Sequence, residues 1–474
     1  MLNNLTITQI REKILKKEIS SLEITKYYLD RIEKEDKKLN SYITVNKERA
    51  LEEAKKFDND FNNQKDKKLG GVPLAIKDVF STKDILTTAA AHILDGYTPA
   101  YESTVTEKLL NEGAIFLGKT NLDQFCHGSS TVTSYYGTTR NPHDYERLPG
   151  GSSGGSAAAT AADLCAGSLG TETAGSIRLP ASWCGTVGLK PTYGRVSRYG
   201  VLAMGSSLDS PGPITKSVED SALILSVIAG YDSKDFSSYN TPTNDYLNDI
   251  DLNMVKGMRI AIPKEYLELE IEEGVLTNFN KSVDILKKLG ANIEYVNILD
   301  PKFGMSVYTI TCRSEVSSNL ARYDGTRYGL EGSDKTTVKT YYESTRGEGF
   351  GQEPKRRIMT GTYSLSAGYA DEYFKKAEQV RQLIKKDLEN ILKEYNCLIS
   401  PTTPTIALKD KDADNPLFGE MADILAEGSS EAGLPGISIP NGKAENMPTA
   451  IQFIGKTLDE QTIINVAKSL EQNL

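Results

Sequence analysis

The sequence predicts an α/β protein built as one continuous domain over residues 1–474. Three observations carry that expectation. Amphipathic helical patterns alternate with short apolar runs, glycine turns bound those runs, and a stretch rich in small residues keeps apolar side chains at intervals, as packed chain does and a linker does not.

In chain order, residues 5–57 read as helices: Ser20-Ser21-Leu22-Glu23 forms a capping box, and Ile24, Tyr28 and Ile32 follow at helical spacing. From about residue 70 the texture becomes that of strands, at Val72 to Ile76 and Ala114 to Leu117. Residues 150–215 concentrate Gly, Ser, Thr and Ala, yet Leu164, Leu169, Ile177, Leu179 and Trp183 punctuate them, so small residues here serve close packing. Arg259 to Ile262 reads as a strand, Thr277 to Leu289 as a helix ended by Gly290, and Ile293 to Ile298 as another strand. A long amphipathic helix from about Asp371 to Tyr395 leads into Cys397-Leu398-Ile399-Ser400. Pro401 and Pro404 then exclude an uninterrupted helix or a central strand. There is no internal repeat.

Composition narrows the function. A net charge of −9 leaves no basic footprint for nucleic acid, so any RNA is expected on a partner. No run of 18 apolar residues and no signal-peptide pattern occur, and the expectation is a soluble, cytoplasmic protein. Five scattered cysteines without C-x-x-C, and only three histidines, point to free thiols and away from structural zinc.

The stretch "GAIFLGKT", residues 113–120, fits the phosphate-loop pattern letter for letter. Its variable positions, Ala114, Ile115, Phe116 and Leu117, are those of a buried strand, whose N–H groups go to neighbouring strands and cannot wrap a phosphate. The turn comes only at Gly118, and Thr120-Asn121-Leu122-Asp123 resembles a capping box opening a short helix.

Two serine-bearing loops, "GGSSGGSA" at 150–157 and "GTETAGSIRLPA" at 170–181, combine hydroxyls with permissive backbone, the parts of an acyl-transfer site. A serine nucleophile needs a base, and the histidines form no recognisable triad. Lys77 in "GGVPLAIKD" follows an apolar run that would bury it, and burial disfavours the ammonium and leaves an amine able to accept a proton.

Together these three segments resemble the amidase signature family. The resemblance implies a mixed central β-sheet covered by helices on both faces, and a catalytic triad of Lys77, a cis-peptide serine at Ser152 and the nucleophile Ser176. Backbone N–H groups of Thr173, Ala174, Gly175 and Ser176 would face the oxyanion. Ala174 stands where the family usually has a second glycine, His127 where members often carry an apolar residue, and Ser210-Pro211 where Gln-Ile is commoner. His127 is read as pocket lining.

Within the family, similarity runs nearly end to end with the branch that serves as glutaminase subunit in tRNA-dependent amidotransferases, from "KEISSLEITKYYLDRIE" to "IQFIGKTLDEQT". That resemblance implies a donor glutamine held by Arg356 (with Arg357 as the neighbouring alternative) on its α-carboxylate, Asp423 on its α-amino group, and Tyr308 nearby. It implies a larger tRNA-binding partner that uses ATP and Mg²⁺, a small third subunit, and no cofactor in this chain. A free-standing amide hydrolase is the alternative; it would have no use for two charged clamps on an amino acid.

Overall fold

A computed structural model describes residues 2–411 and 421–474. Its centre is a mixed sheet of strands β1 (Tyr42–Val45), β2 (Pro73–Lys77), β3 (Ile115–Thr120), β4 (Gly167–Glu172), β5 (Val187–Lys190), β6 (Ser210–Thr215), β7 (Arg259–Pro263), β8 (Asn292–Val296), β9 (Cys397–Pro401), β10 (Gly436–Ala444) and β11 (Met447–Ile454). Their order across the sheet is β1-β3-β2-β4-β6-β5-β10-β11-β9-β7-β8. β2 runs parallel to β3 and β4, and β7 parallel to β8 and β9; the other pairs are antiparallel.

Successive strand residues face opposite sides, so a strand buried at every position is covered on both faces. β2, β3, β4, β5, β6 and β11 are buried throughout, whereas the edge strand β8 is mostly exposed. The helices Arg178–Cys184, Glu273–Lys288 and Glu460–Glu471 pack on β10, and the helix Gly154–Ala161 on β4. The capping box at Ser20 and Glu23 opens the helix Ser21–Leu39.

Three local expectations change. The helical stretch 5–57 is interrupted by β1, which pairs antiparallel with β3 at the sheet edge. Thr120 caps no helix: it is the last residue of β3, in register with Lys77, and its hydroxyl lies 2.7 Å from Ser156 Oγ. Pairing to β2 along the whole strand outweighs a single capping bond. Pro401 ends β9, a strand inside the sheet, opposite Ile451 of β11. β7 pairs with β9 only at Cys397 and Leu398, so the proline's missing N–H falls where no ladder runs. The same reasoning covers Ser210-Pro211: β6 meets β5 only at Ile214 and Thr215, leaving Pro211 and Pro213 with a single neighbouring strand.

The phosphate-loop pattern is scaffold. Its Lys119 is buried in β3 and ion-paired with Asp78 at 3.2 Å, and its Nζ also donates to Phe80 O (2.8 Å) and Thr87 Oγ1 (2.7 Å).

Candidate active site

The lysine at the end of β2 differs from the one beside it in β3. β2 carries Lys77 into the interior between β3 and β4 until it is wholly buried. Its Nζ donates to Ser152 Oγ (2.8 Å), Ser153 Oγ (2.9 Å), Thr171 Oγ1 (3.0 Å) and Thr171 O (3.3 Å). These are neutral oxygens. Burial therefore pushes the Lys77 pKa below its usual 10.5, with Cys126 and the more distant Asp123 and Asp209 opposing in part.

Ser152 lies on the turn between Gly150 and the helix Gly154–Ala161, and the Gly151–Ser152 peptide is cis. Glycine is required at 151 because a Cβ there would lie 2.2 Å from Asp123 Oδ2 and 2.4 Å from Ser130 N. Ser153 N donates to Ser176 O (3.2 Å) and Ser153 Oγ to Thr171 O (3.2 Å), which holds the two serine loops together.

Thr173 to Ser176 form the turn between β4 and the helix Arg178–Cys184. Among the described residues no acceptor takes the N–H of Thr173, Ala174, Gly175 or Ser176, although all four residues are buried. Ala174 is not at positive φ, so its methyl group is accommodated.

Sequence reasoning missed the pair that shapes this turn. Glu172 Oε2 accepts the N–H groups of Ile177 (2.9 Å) and Arg178 (3.0 Å), while Glu172 Oε1 accepts from Arg178 Nη2 at 2.6 Å. Arg178 also donates to Gln452 Oε1 (2.7 Å), Ser429 Oγ (3.0 Å) and Ser430 Oγ (3.0 Å). Both side chains are fully buried, and such a pair holds only when its hydrogen bonds are met, as here. The signal was present: a Glu and an Arg six residues apart in a run of otherwise small or apolar residues.

The Tyr308 hydroxyl lies 3.1 Å from Thr173 Oγ1, placing the helix Lys302–Asn319 against the turn. Burial raises the Tyr308 pKa well above 10, keeping the phenol protonated. Of the two arginines on the helix Gln352–Leu365, the Arg356 side chain is 52% exposed and that of Arg357 10%; both pair with Glu353 at 2.7 Å. Burial works against the Arg357 charge, but the Glu353 carboxylate at 2.7 Å opposes it, and the pKa is raised overall. The structure thus buries Arg357 and turns Arg356 towards solvent. Asp423 is buried, its Oδ2 accepts from Ser129 Oγ (2.9 Å), and its Oδ1 has no hydrogen-bond partner among the described residues. Burial, reinforced by Glu172, pushes its pKa up to about 8.

A buried lysine resting on serine hydroxyls, beside a serine turn with unspent N–H groups, is the equipment of an acyl-transfer enzyme that works without histidine. The chain belongs to the amidase family, whose sequence profile matches residues 23–464. It is 48% identical over 472 residues to the glutamyl-tRNA(Gln) amidotransferase A subunit of Thermoanaerobacter pseudethanolicus, covering 99% of this chain and 96% of the relative. Among solved structures it resembles the protein of that same name from Thermotoga maritima (TM-score 0.84, 38% identity, 100% of this chain and 95% of the other). It also resembles the peptide amidase of Stenotrophomonas maltophilia (TM-score 0.85, 27% identity, 99% and 96%).

Proposed function

We propose that this chain is the glutamine-hydrolysing subunit of a tRNA-dependent amidotransferase, folded as one domain. The observation that carries the chemistry is Lys77 Nζ, buried with no carboxylate paired to it among the described residues, 2.8 Å from Ser152 Oγ. Neutral Lys77 takes a proton from Ser152, Ser152 takes one from Ser176, and Ser176 Oγ attacks the side-chain amide carbonyl of glutamine. The oxyanion collects on the free N–H groups of the 173–176 turn, each such donor being worth about 3 kcal/mol. The relay returns a proton to the leaving nitrogen, which departs as ammonia, and water then cleaves the glutamyl ester.

Substrate recognition rests on Arg357, Asp423 and Tyr308. Arg357 takes the carboxylate role in preference to Arg356, since a clamp must be desolvated and face the turn. Asp423, with an oxygen to spare beside Gly175, takes the ammonium. Ammonia would pass to a larger tRNA-binding subunit that handles ATP and Mg²⁺, with a small third subunit completing a heterotrimer in the cytoplasm; full-length similarity to chains named as A subunits of an amidotransferase supports a place in a multi-subunit complex.

The deciding experiment is purification of the tagged chain with its native companions, followed by assays of ammonia release from glutamine and of Glu-tRNA(Gln) amidation. Two stoichiometric companions and activity lost in Ser176→Ala bear the proposal out. A lone chain that cleaves simple amides and ignores glutamine overturns it in favour of a free-standing amidase.

A further inference from the structure

Residues 124–129 form a strap between the two charged groups assigned to substrate. At one end Gln124 Oε1 accepts the N–H of Gly351 (2.8 Å), the residue that precedes the helix bearing Arg357. At the other, Ser129 Oγ donates to Asp423 Oδ2 (2.9 Å). Between them Phe125 (φ 50°) and Cys126 (φ 63°) are both left-handed, a conformation that non-glycine residues adopt at a cost and that gathers at functional sites.

His127 sits in this strap with no exposed surface, its ring tilted against Phe125 at 6.4 Å between centroids. Among the described residues neither of its ring nitrogens has a hydrogen-bond partner. Buried polar atoms are almost always bonded, and each one left unmet costs stability. The surroundings fix its protonation state: burial, then the guanidiniums of Arg357 and Arg313, press its pKa well below 6.5. The ring is therefore neutral and keeps one N–H to donate. A donor without an acceptor, in the field of two guanidiniums, suits an anion.

We propose that His127 is a specificity-determining residue whose ring N–H donates to the α-carboxylate of the donor amino acid, completing the site that Arg357 begins. The inference rests on the glutaminase reading and deepens it. It gives this chain a carboxylate contact at a position where an apolar side chain could supply none.

The test compares glutamine with 4-aminobutanamide, which has the same amide and chain but no α-carboxylate, using the assembled complex. His127→Met should lower the ratio of kcat/KM for glutamine over 4-aminobutanamide about tenfold, as for one lost hydrogen bond to a charged group, mostly through KM. His127→Asn, which keeps an N–H, should recover much of the ratio. If His127→Met depresses both donors alike, or leaves the ratio unchanged, the histidine is only packing and the proposal falls. A wild-type complex that cleaves 4-aminobutanamide but not glutamine overturns both readings, with a signature of its own.

Discussion

A Cβ on Gly175 would lie 2.3 Å from Asp423 Oδ1 and 3.0 Å from its Cγ, so the serine turn and the carboxylate touch across the gap that only glycine leaves. Gly175 is not at positive φ; its need is for space. Gly175→Ala must push Asp423 or the turn aside by a sizeable part of an ångström, and displacements of that order cost about a hundredfold in rate. The expected result is a loss of about that size in kcat/KM for glutamine, read by ammonia release. Activity within about twofold of wild type would mean that the contact positions nothing.

Lys77 yields a prediction about pH. The amine acts as a base only when neutral, so kcat/KM rises as pH passes through its pKa. Burial lowers that pKa from 10.5, so the acid limb of the profile should lie clearly below it. Lys77→Met should reduce kcat by between about a hundredfold and ten-thousandfold, the usual range for a lost general base. Thermal stability should hold, because methionine fills the space without a desolvated amine. An unaltered profile in the variant would remove Lys77 from the relay.

Much of the fold was legible because burial on both faces writes itself as unbroken apolar runs, as in β2 and β3. β1 was hidden: four residues between helices, paired only on one side, carry too little pattern to outweigh their neighbours. The serine loops and Lys77 were legible as motifs. Arg356 and Arg357 were not separable, because adjacent helical positions point about 100° apart and only the packed helix says which faces inward. Glu172 and Arg178 went unread because charge in a small-residue stretch first suggests a loop, whereas its meaning lies in groups far along the chain such as Gln452.

Asp423 ties recognition to stability. Its folded pKa is about 8 against an ordinary 3.8, so across that window the folded chain holds a proton the unfolded chain has released. Wild-type stability therefore falls as pH rises between those values. Asp423→Asn has no such proton to lose, so its Tm should gain on wild type through the same window and level off above it. The same variant should raise KM for glutamine, because the ammonium loses its carboxylate. Thermal melts at several pH values check the first point and ammonia release the second; a Tm difference independent of pH would show that Asp423 is ionised at little cost.

Lys119 separates scaffold from phosphate loop. Its side chain and that of Asp78 are 1% and 0% exposed and 3.2 Å apart, and Asp78 Oδ2 also accepts from Thr88 N at 2.8 Å. Removing one member of a buried pair strands the other, at a cost of about 3–5 kcal/mol. Lys119→Met should lower the urea midpoint accordingly, and adding Asp78→Asn should return part of the loss because the stranded charge goes with it. A phosphate-binding lysine behaves in the opposite way, since its removal relieves repulsion in the empty loop and leaves stability level or higher. A Lys119→Met chain as stable as wild type would reopen the nucleotide reading; a large loss restored by the second substitution places this lysine in the core.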